Sequence, residues 1–150
     1  MTSRTLLCPS AEPSGEDAAA IGVVQGDVAN PKVNYFGRPA PATDELLALA
    51  SPVAPTEVFR FSAACVESAC SHYRDGACQI ARRLVERMAP TRSTLPRCGV
   101  RGACRWWIQE GRTACERCDS VVTTNSAPTQ TMDFVAGRST AGGAGNDKGF

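Results

Sequence analysis

The chain has 150 residues, a formal net charge of +1 and eight cysteines. That length fits one modest domain, and so neutral a balance excludes a polyanion binder that uses its whole surface. No segment is long and apolar enough to span a membrane, and residues 1–16 lack the apolar run of a secretory leader. The expectation is therefore a cytoplasmic protein whose thiols stay reduced, so that clustered cysteines read as metal or redox sites before disulfides.

Residues 1–17 read as an irregular arm, with Cys8-Pro9 its one notable pair. The proline biases Cys8 towards extended backbone, which would let it close a site formed by the rest of the chain. Residues 18–56 read as a β-hairpin followed by a short helix. The β-branched run at 20–25 and the alternation at 32–36 are the strands, and the Gly37-Arg38-Pro39-Ala40-Pro41 stretch is expected to break the second. Thr43 or Asp44 then caps a helix through residues 45–50, stopped by Pro52 and Pro55.

Residues 57–124 form the cysteine-rich core and hold seven of the eight cysteines. Phe59 and Phe61 alternate with Arg60 and Ser62 on the approach to Cys65, and Ser62 is placed to cap a short helix over residues 65–70. After Asp75-Gly76 comes the clearest helix, residues 77–88, with Ile80, Leu84 and Met88 in one apolar stripe beside Ala81 and Val85. Cys78 lies in its first turn. Residues 90–96 are a linker, and residues 103–110 a second helix ended by Gly111. Thr113 and Glu116 match a capping box, so a third helix is expected to start at Ala114 with Cys115 and Cys118 on one face of its first turns. Residues 125–150 are low in complexity and read as a disordered tail. The fold class is thus a small α+β or irregular metal-stabilised domain.

The thiols carry the chemistry. Two half-motifs share Ala-Cys, one residue, two ring side chains, an acid followed by Gly, then Ala-Cys. They divide the eight cysteines into Cys8, Cys65, Cys70 and Cys78, and Cys98, Cys104, Cys115 and Cys118. The Cys115-x-x-Cys118 pair alone fits a zinc knuckle, a dithiol redox pair or an iron–sulfur ligand pair. No strand precedes it, which disfavours a thioredoxin-like pair. The other gaps, of 4, 7, 5 and 10 residues, do not repeat a knuckle and suit an iron–sulfur cluster better than a zinc ribbon. Residues 82–117 carry nine Arg against three Glu, a net +6 that would offset two anionic four-thiolate centres. The plain reading of those arginines is a solvated surface.

His72, the single histidine, is a possible extra ligand. Arg101, Arg105, Trp106, Trp107 and Arg112 offer a partner face, although the tryptophans read as core or as shielding for a metal site before they read as base-stacking platforms. No catalytic arrangement, phosphate loop or dinucleotide fingerprint is present in the sequence. A metal-binding protein is expected, with an iron–sulfur cluster used for electron transfer, redox sensing or an accessory role and a redox protein as its partner. A structural zinc module binding nucleic acid or protein is the alternative. A disulfide-stapled exported protein is a third and more remote reading.

The block from Cys98 to Thr123, with RWW-x-QEG between Cys104 and Cys115, resembles a group of small bacterial cysteine-rich proteins. The shared pattern extends back through the Cys65 segment to Cys8-Pro9. The resemblance implies one unit over residues 5–124 and carries no activity with it.

Overall fold

The computed structural model describes residues 5–27, 30–124 and 129–137 and has a small α+β fold. Four antiparallel strands, β1 (Leu7–Ala11), β2 (Ala19–Asp27), β3 (Asn30–Pro41) and β4 (Phe59–Ala64), lie in the order β1-β4-β2-β3. Between β3 and β4 come α1 (Asp44–Ala48) and α2 (Pro55–Val58). A two-stranded hairpin, β5 (Tyr73–Arg74) and β6 (Ala77–Cys78), leads into α3 (Gln79–Arg87). The helices α4 (Arg105–Glu110), α5 (Arg112–Cys115) and α6 (Gln130–Val135) complete the chain.

The expected hairpin is present and longer than the sequence indicated. Its ladder runs out to Ala19 opposite Pro41, so the 37–41 stretch does not break it. Strand β3 lies at the sheet edge, where prolines cost no ladder bond if their missing N–H faces outward. A bulge between Ala20 and Gly22 shifts the register. The backbones approach so closely there that a Cβ on Gly22 would lie 2.7 Å from the Asn34 carbonyl oxygen. Thr43 caps α1 as expected, its Oγ1 accepting from Leu46 N at 3.2 Å.

Residues 1–17 are not an irregular arm throughout. Residues 7–11 are an edge strand, with Leu7 opposite Ala64 and Cys8 opposite Ala63. Ser62 stays in β4 and caps nothing; only a 3-10 turn, Glu67–Ala69, stands where the helix over 65–70 was expected. Strand β4 is buried on both faces. Phe59 and Phe61 pack with Ala20 and Ala50 under Leu46 and Leu47 of α1, forming the first core. Arg60 and Ser62 face the other way and are buried as well.

The second core joins Ile80, Ala81 and Leu84 of α3 to Cys104, Trp106, Ala114, Val121 and Val135. The apolar stripe expected on α3 is therefore its buried face, with Val85 and Met88 partly buried beside it. Part of the supposed disordered tail belongs here too. Helix α6 is capped by Thr129 Oγ1 accepting from Met132 N at 3.2 Å, and Val135 and Ala136 are buried. Arg87 stacks on Phe134, 4.1 Å from the ring centroid, and Arg83 Nε donates to Val135 O at 3.1 Å. Two turns of α6 thus find partners on α3, which composition alone did not disclose. The remaining tail residues lie outside the described residues.

Phe61→Ala is expected to destabilise the protein by about 3–5 kcal/mol, because the ring is fully buried and its removal leaves a cavity. Leu49→Ala, at an exposed position, is expected to stay within about 0.5 kcal/mol. Urea denaturation of both variants checks the pair; equal midpoints would contradict the assignment of the first core.

Candidate metal centres

The eight thiols, all free, collect in two places. At the first, β1 and β4 bring Cys8 and Cys65 together: Cys8 lies opposite Ala63, and Cys65 N donates to Leu6 O at 2.8 Å. Cys70 closes the 3-10 turn after Cys65, and its sulfur accepts from His72 N at 3.4 Å. Cys78 ends β6 and caps α3, with the N–H groups of Ile80 and Ala81 facing its sulfur. Gln109 of α4 holds the Cys78 backbone from both sides, at 2.8 Å to N and 2.9 Å to O. The Cys8 thiol lies within electrostatic reach of Cys78, Cys65 and Cys70.

At the second place, Cys104 caps α4, facing the N–H groups of Trp106 and Trp107. Cys115 is the last residue of α5 and Cys118 opens a 3-10 turn, Cys118–Ser120. Cys98 and Cys118 interact electrostatically with each other and with both Cys104 and Cys115. All four line one pocket, partly open to solvent, together with Pro9, Ile21, Tyr35 and Trp106. The sheet face opposite the first core therefore forms one wall of this site.

The expected capping box does not form. Gly111, at φ +72°, starts α5 at once, and Glu116 instead accepts from Arg112 Nε at 2.7 Å across one turn. Cys115 thus ends a four-residue helix rather than beginning one, and gains no helix N-terminus. The half-motifs are not a structural repeat either. Between Cys70 and Cys78 the chain makes the β5–β6 hairpin about Asp75-Gly76; between Cys104 and Cys115 it makes two helices.

Sequence reasoning passed over Arg60. Its side chain is 0% exposed and enters the second site from β4. Nη2 donates to Cys118 Sγ at 3.0 Å, Nη1 to the carbonyls of Cys118 and Val121 at 2.9 and 2.6 Å, and Nε to Pro9 O at 2.7 Å. The guanidinium also lies over Trp106, 5.5 Å from the ring centroid. No ion pair among the described residues includes it. Burial alone disfavours its charge, but the Cys118 sulfur and Tyr35 more than offset that and hold it protonated. An arginine alternating with phenylalanines just before the first cysteine was the available signal.

Other donors are turned on the sulfurs without an ordinary hydrogen bond. Among the described residues the buried Tyr35 Oη, Arg101 Nε, Arg105 Nε and Trp106 Nε1 are unsatisfied. Tyr35 faces Cys118, Arg101 faces Cys115, Arg105 faces Cys65 and Trp106 faces Cys78. Native interiors rarely leave such groups unmatched. Here four of them converge on thiols, where an anionic, sulfur-rich group would accept from them.

The expected partner face is largely occupied. Trp106 is 1% exposed and belongs to the second core, so it cannot serve as a stacking platform. Arg101 lies over Trp107, 5.7 Å from the centroid, and Arg105 over Tyr73 with an ion pair to Glu67. Arg112 is exposed and tied to Glu116 and to the Ser93 carbonyl. The His72 imidazole lies beside Gly137 at the end of α6, and each thiol group has four members without it.

Burial pushes the Cys8 and Cys104 thiols up to about 12, and raises Cys78, Cys98 and Cys115 as well. Among the described residues no three His, Cys, Asp or Glu side chains stand in the arrangement that one bound metal ion needs. The sulfurs of a zinc site lie about 3.5–4 Å apart and those around a four-iron cluster about 6–7 Å. No protein-family model, curated protein or solved structure matches the chain.

In the metal-free, reduced protein, Cys8 and Cys104 are expected to react with iodoacetamide at pH 8 about 10- to 10³-fold more slowly than an unfolded cysteine. A pKa of about 12 against the ordinary 9.0 leaves far less thiolate, and the greater nucleophilicity of a high-pKa thiolate recovers only part of the loss. Peptide mass mapping of a time course checks this; labelling at the unfolded rate would contradict it.

Proposed function

We propose that the protein is an iron–sulfur protein with two centres, one on Cys8, Cys65, Cys70 and Cys78 and one on Cys98, Cys104, Cys115 and Cys118, and that it transfers single electrons to a redox protein partner. The observation that carries this reading is the ring of N–H and O–H donors aimed at two groups of four sulfurs, with the buried Arg60 among them. Among the described residues no carboxylate pairs with the Arg60 guanidinium. Four thiolates around an oxidised four-iron cluster carry a net charge of about −2, which supplies the missing anion. Coordination also deprotonates the thiols that burial keeps protonated.

The cysteine gaps of 4, 7, 5 and 10 residues, which do not repeat a zinc knuckle, favour a cluster over a single ion. A structural zinc module remains the second reading, favoured by the Cys115-x-x-Cys118 spacing. Nucleic acid is the weaker choice of partner because Trp106 is buried. A reducing compartment such as the cytoplasm suits eight free thiols. Among the described residues no helix is long and apolar enough to cross a membrane.

Anaerobic purification followed by iron, sulfide and zinc analysis is expected to give about eight iron and eight sulfide per chain, with a reducible signal in electron paramagnetic resonance. About two zinc and no sulfide would favour the second reading. A protein that takes up neither iron, sulfide nor zinc on anaerobic reconstitution would overturn both.

A further inference from the structure

The two thiol groups sit against one another but in unequal electrostatic surroundings. The second group receives two guanidinium groups that no ion pair among the described residues neutralises: Arg60, whose Nη2 donates to Cys118 Sγ at 3.0 Å, and Arg101, which faces Cys115. The first group receives Arg105 at Cys65, and Arg105 is paired with Glu67. Arg83, also within electrostatic reach of Cys78, is only half buried. Two carboxylates adjoin the second group in sequence: Glu116, paired with Arg112 and Arg117, and Asp119, which bonds Thr91 and lies 3.7 Å from Arg92.

We propose that the two centres form an ordered pair, in which the Cys98–Cys104–Cys115–Cys118 centre has the higher reduction potential and Arg60 is the positioning residue that sets the order. This rests on the two-centre iron–sulfur reading above. Reduction adds one negative charge to a centre, and a fixed cation hydrogen-bonded to a ligand sulfur stabilises that charge. Arg60 is fully buried, so neither water nor salt weakens its effect as they weaken that of the more accessible Arg105.

The two groups also have a short path between them. Leu7 pairs with Cys104 in an isolated parallel bridge, and Cys8 is the next residue along β1. Trp106 fills the space between, lining the second pocket while its Nε1 faces Cys78 of the first group. With clusters held by the two groups of cysteines, one electron would pass from the first to the second, with no bond formed or broken and no proton moved. The electron entering the first centre comes from an external one-electron donor of the flavin or iron–sulfur class.

The test is stepwise reduction of the anaerobically reconstituted full chain with dithionite, followed by electron paramagnetic resonance. Cys65→Ser and Cys98→Ser assign the two signals by removing one centre each, and either variant suffices. The first electron is expected on the centre lost in Cys98→Ser. Arg60→Lys is expected to lower the potential of that centre alone, and Arg105→Lys to move only the other. If the first electron enters the centre lost in Cys65→Ser, or if the two potentials coincide, the ordered pair is overturned while the two centres stand. If the wild-type chain binds no iron, the two-centre reading itself fails and the ordered pair with it. Should Arg60→Lys not fold, the wild-type order of reduction still decides whether the pair is ordered. If Arg60→Lys folds and leaves both potentials unmoved, Arg60 does not set the order.

Discussion

The arrangement of this chain depends on where Arg60 puts its guanidinium. A strand that buries both faces normally offers apolar side chains to each, and β4 offers Phe59 and Phe61 to one face and a cation to the other. From there the guanidinium holds two separate pieces of chain: β1 through Pro9, and the 3-10 turn through the carbonyls of Cys118 and Val121 at its two ends. Each carbonyl left without its donor in a buried setting costs about 1–3 kcal/mol, so these contacts are costly to undo. The fourth contact, to the Cys118 sulfur, turns a structural cation into a feature of the site.

A buried charge without a counter-ion is expensive, and the described ion pairs do not supply one for Arg60. An anionic centre among the four neighbouring thiols resolves that cost and also satisfies Tyr35 and Arg101. The second core contains Cys104 itself, and Cys78 and Cys118 pack against it, so bound clusters would add to its packing. The first core stands apart from the thiols, since none of its members is a cysteine. On the proposed reading, the chain is half an ordinary sheet-and-helix core and half a core that bound clusters would complete.

Local signals in the sequence were read well where chemistry is local. The apolar stripe of α3, the Thr43 cap and the Gly111 stop each depend on a few adjacent residues. Cys8 lies within electrostatic reach of Cys65, Cys70 and Cys78 across β1 and β4. The misreadings came from pairings that cross the chain. Strand β1 looked like loop because its partner lies more than fifty residues away, and α6 looked disordered because its partners are on α3. The Thr113–Glu116 capping box lost to a competing Arg112–Glu116 contact and an early start at Gly111. Arg60 was invisible as a site residue because an alternating strand assigns its polar positions to solvent, and here the other face meets the thiols instead.

The central claim is that the eight cysteines act as two independent sets of four. Native mass spectrometry of the anaerobically reconstituted protein measures this directly, by the mass bound per chain. The wild type is expected to carry two equal cluster increments, and Cys65→Ser and Cys98→Ser one each, with the double variant carrying none. Loss of both increments from a single substitution, or the same bound mass in every variant, would contradict two separate centres.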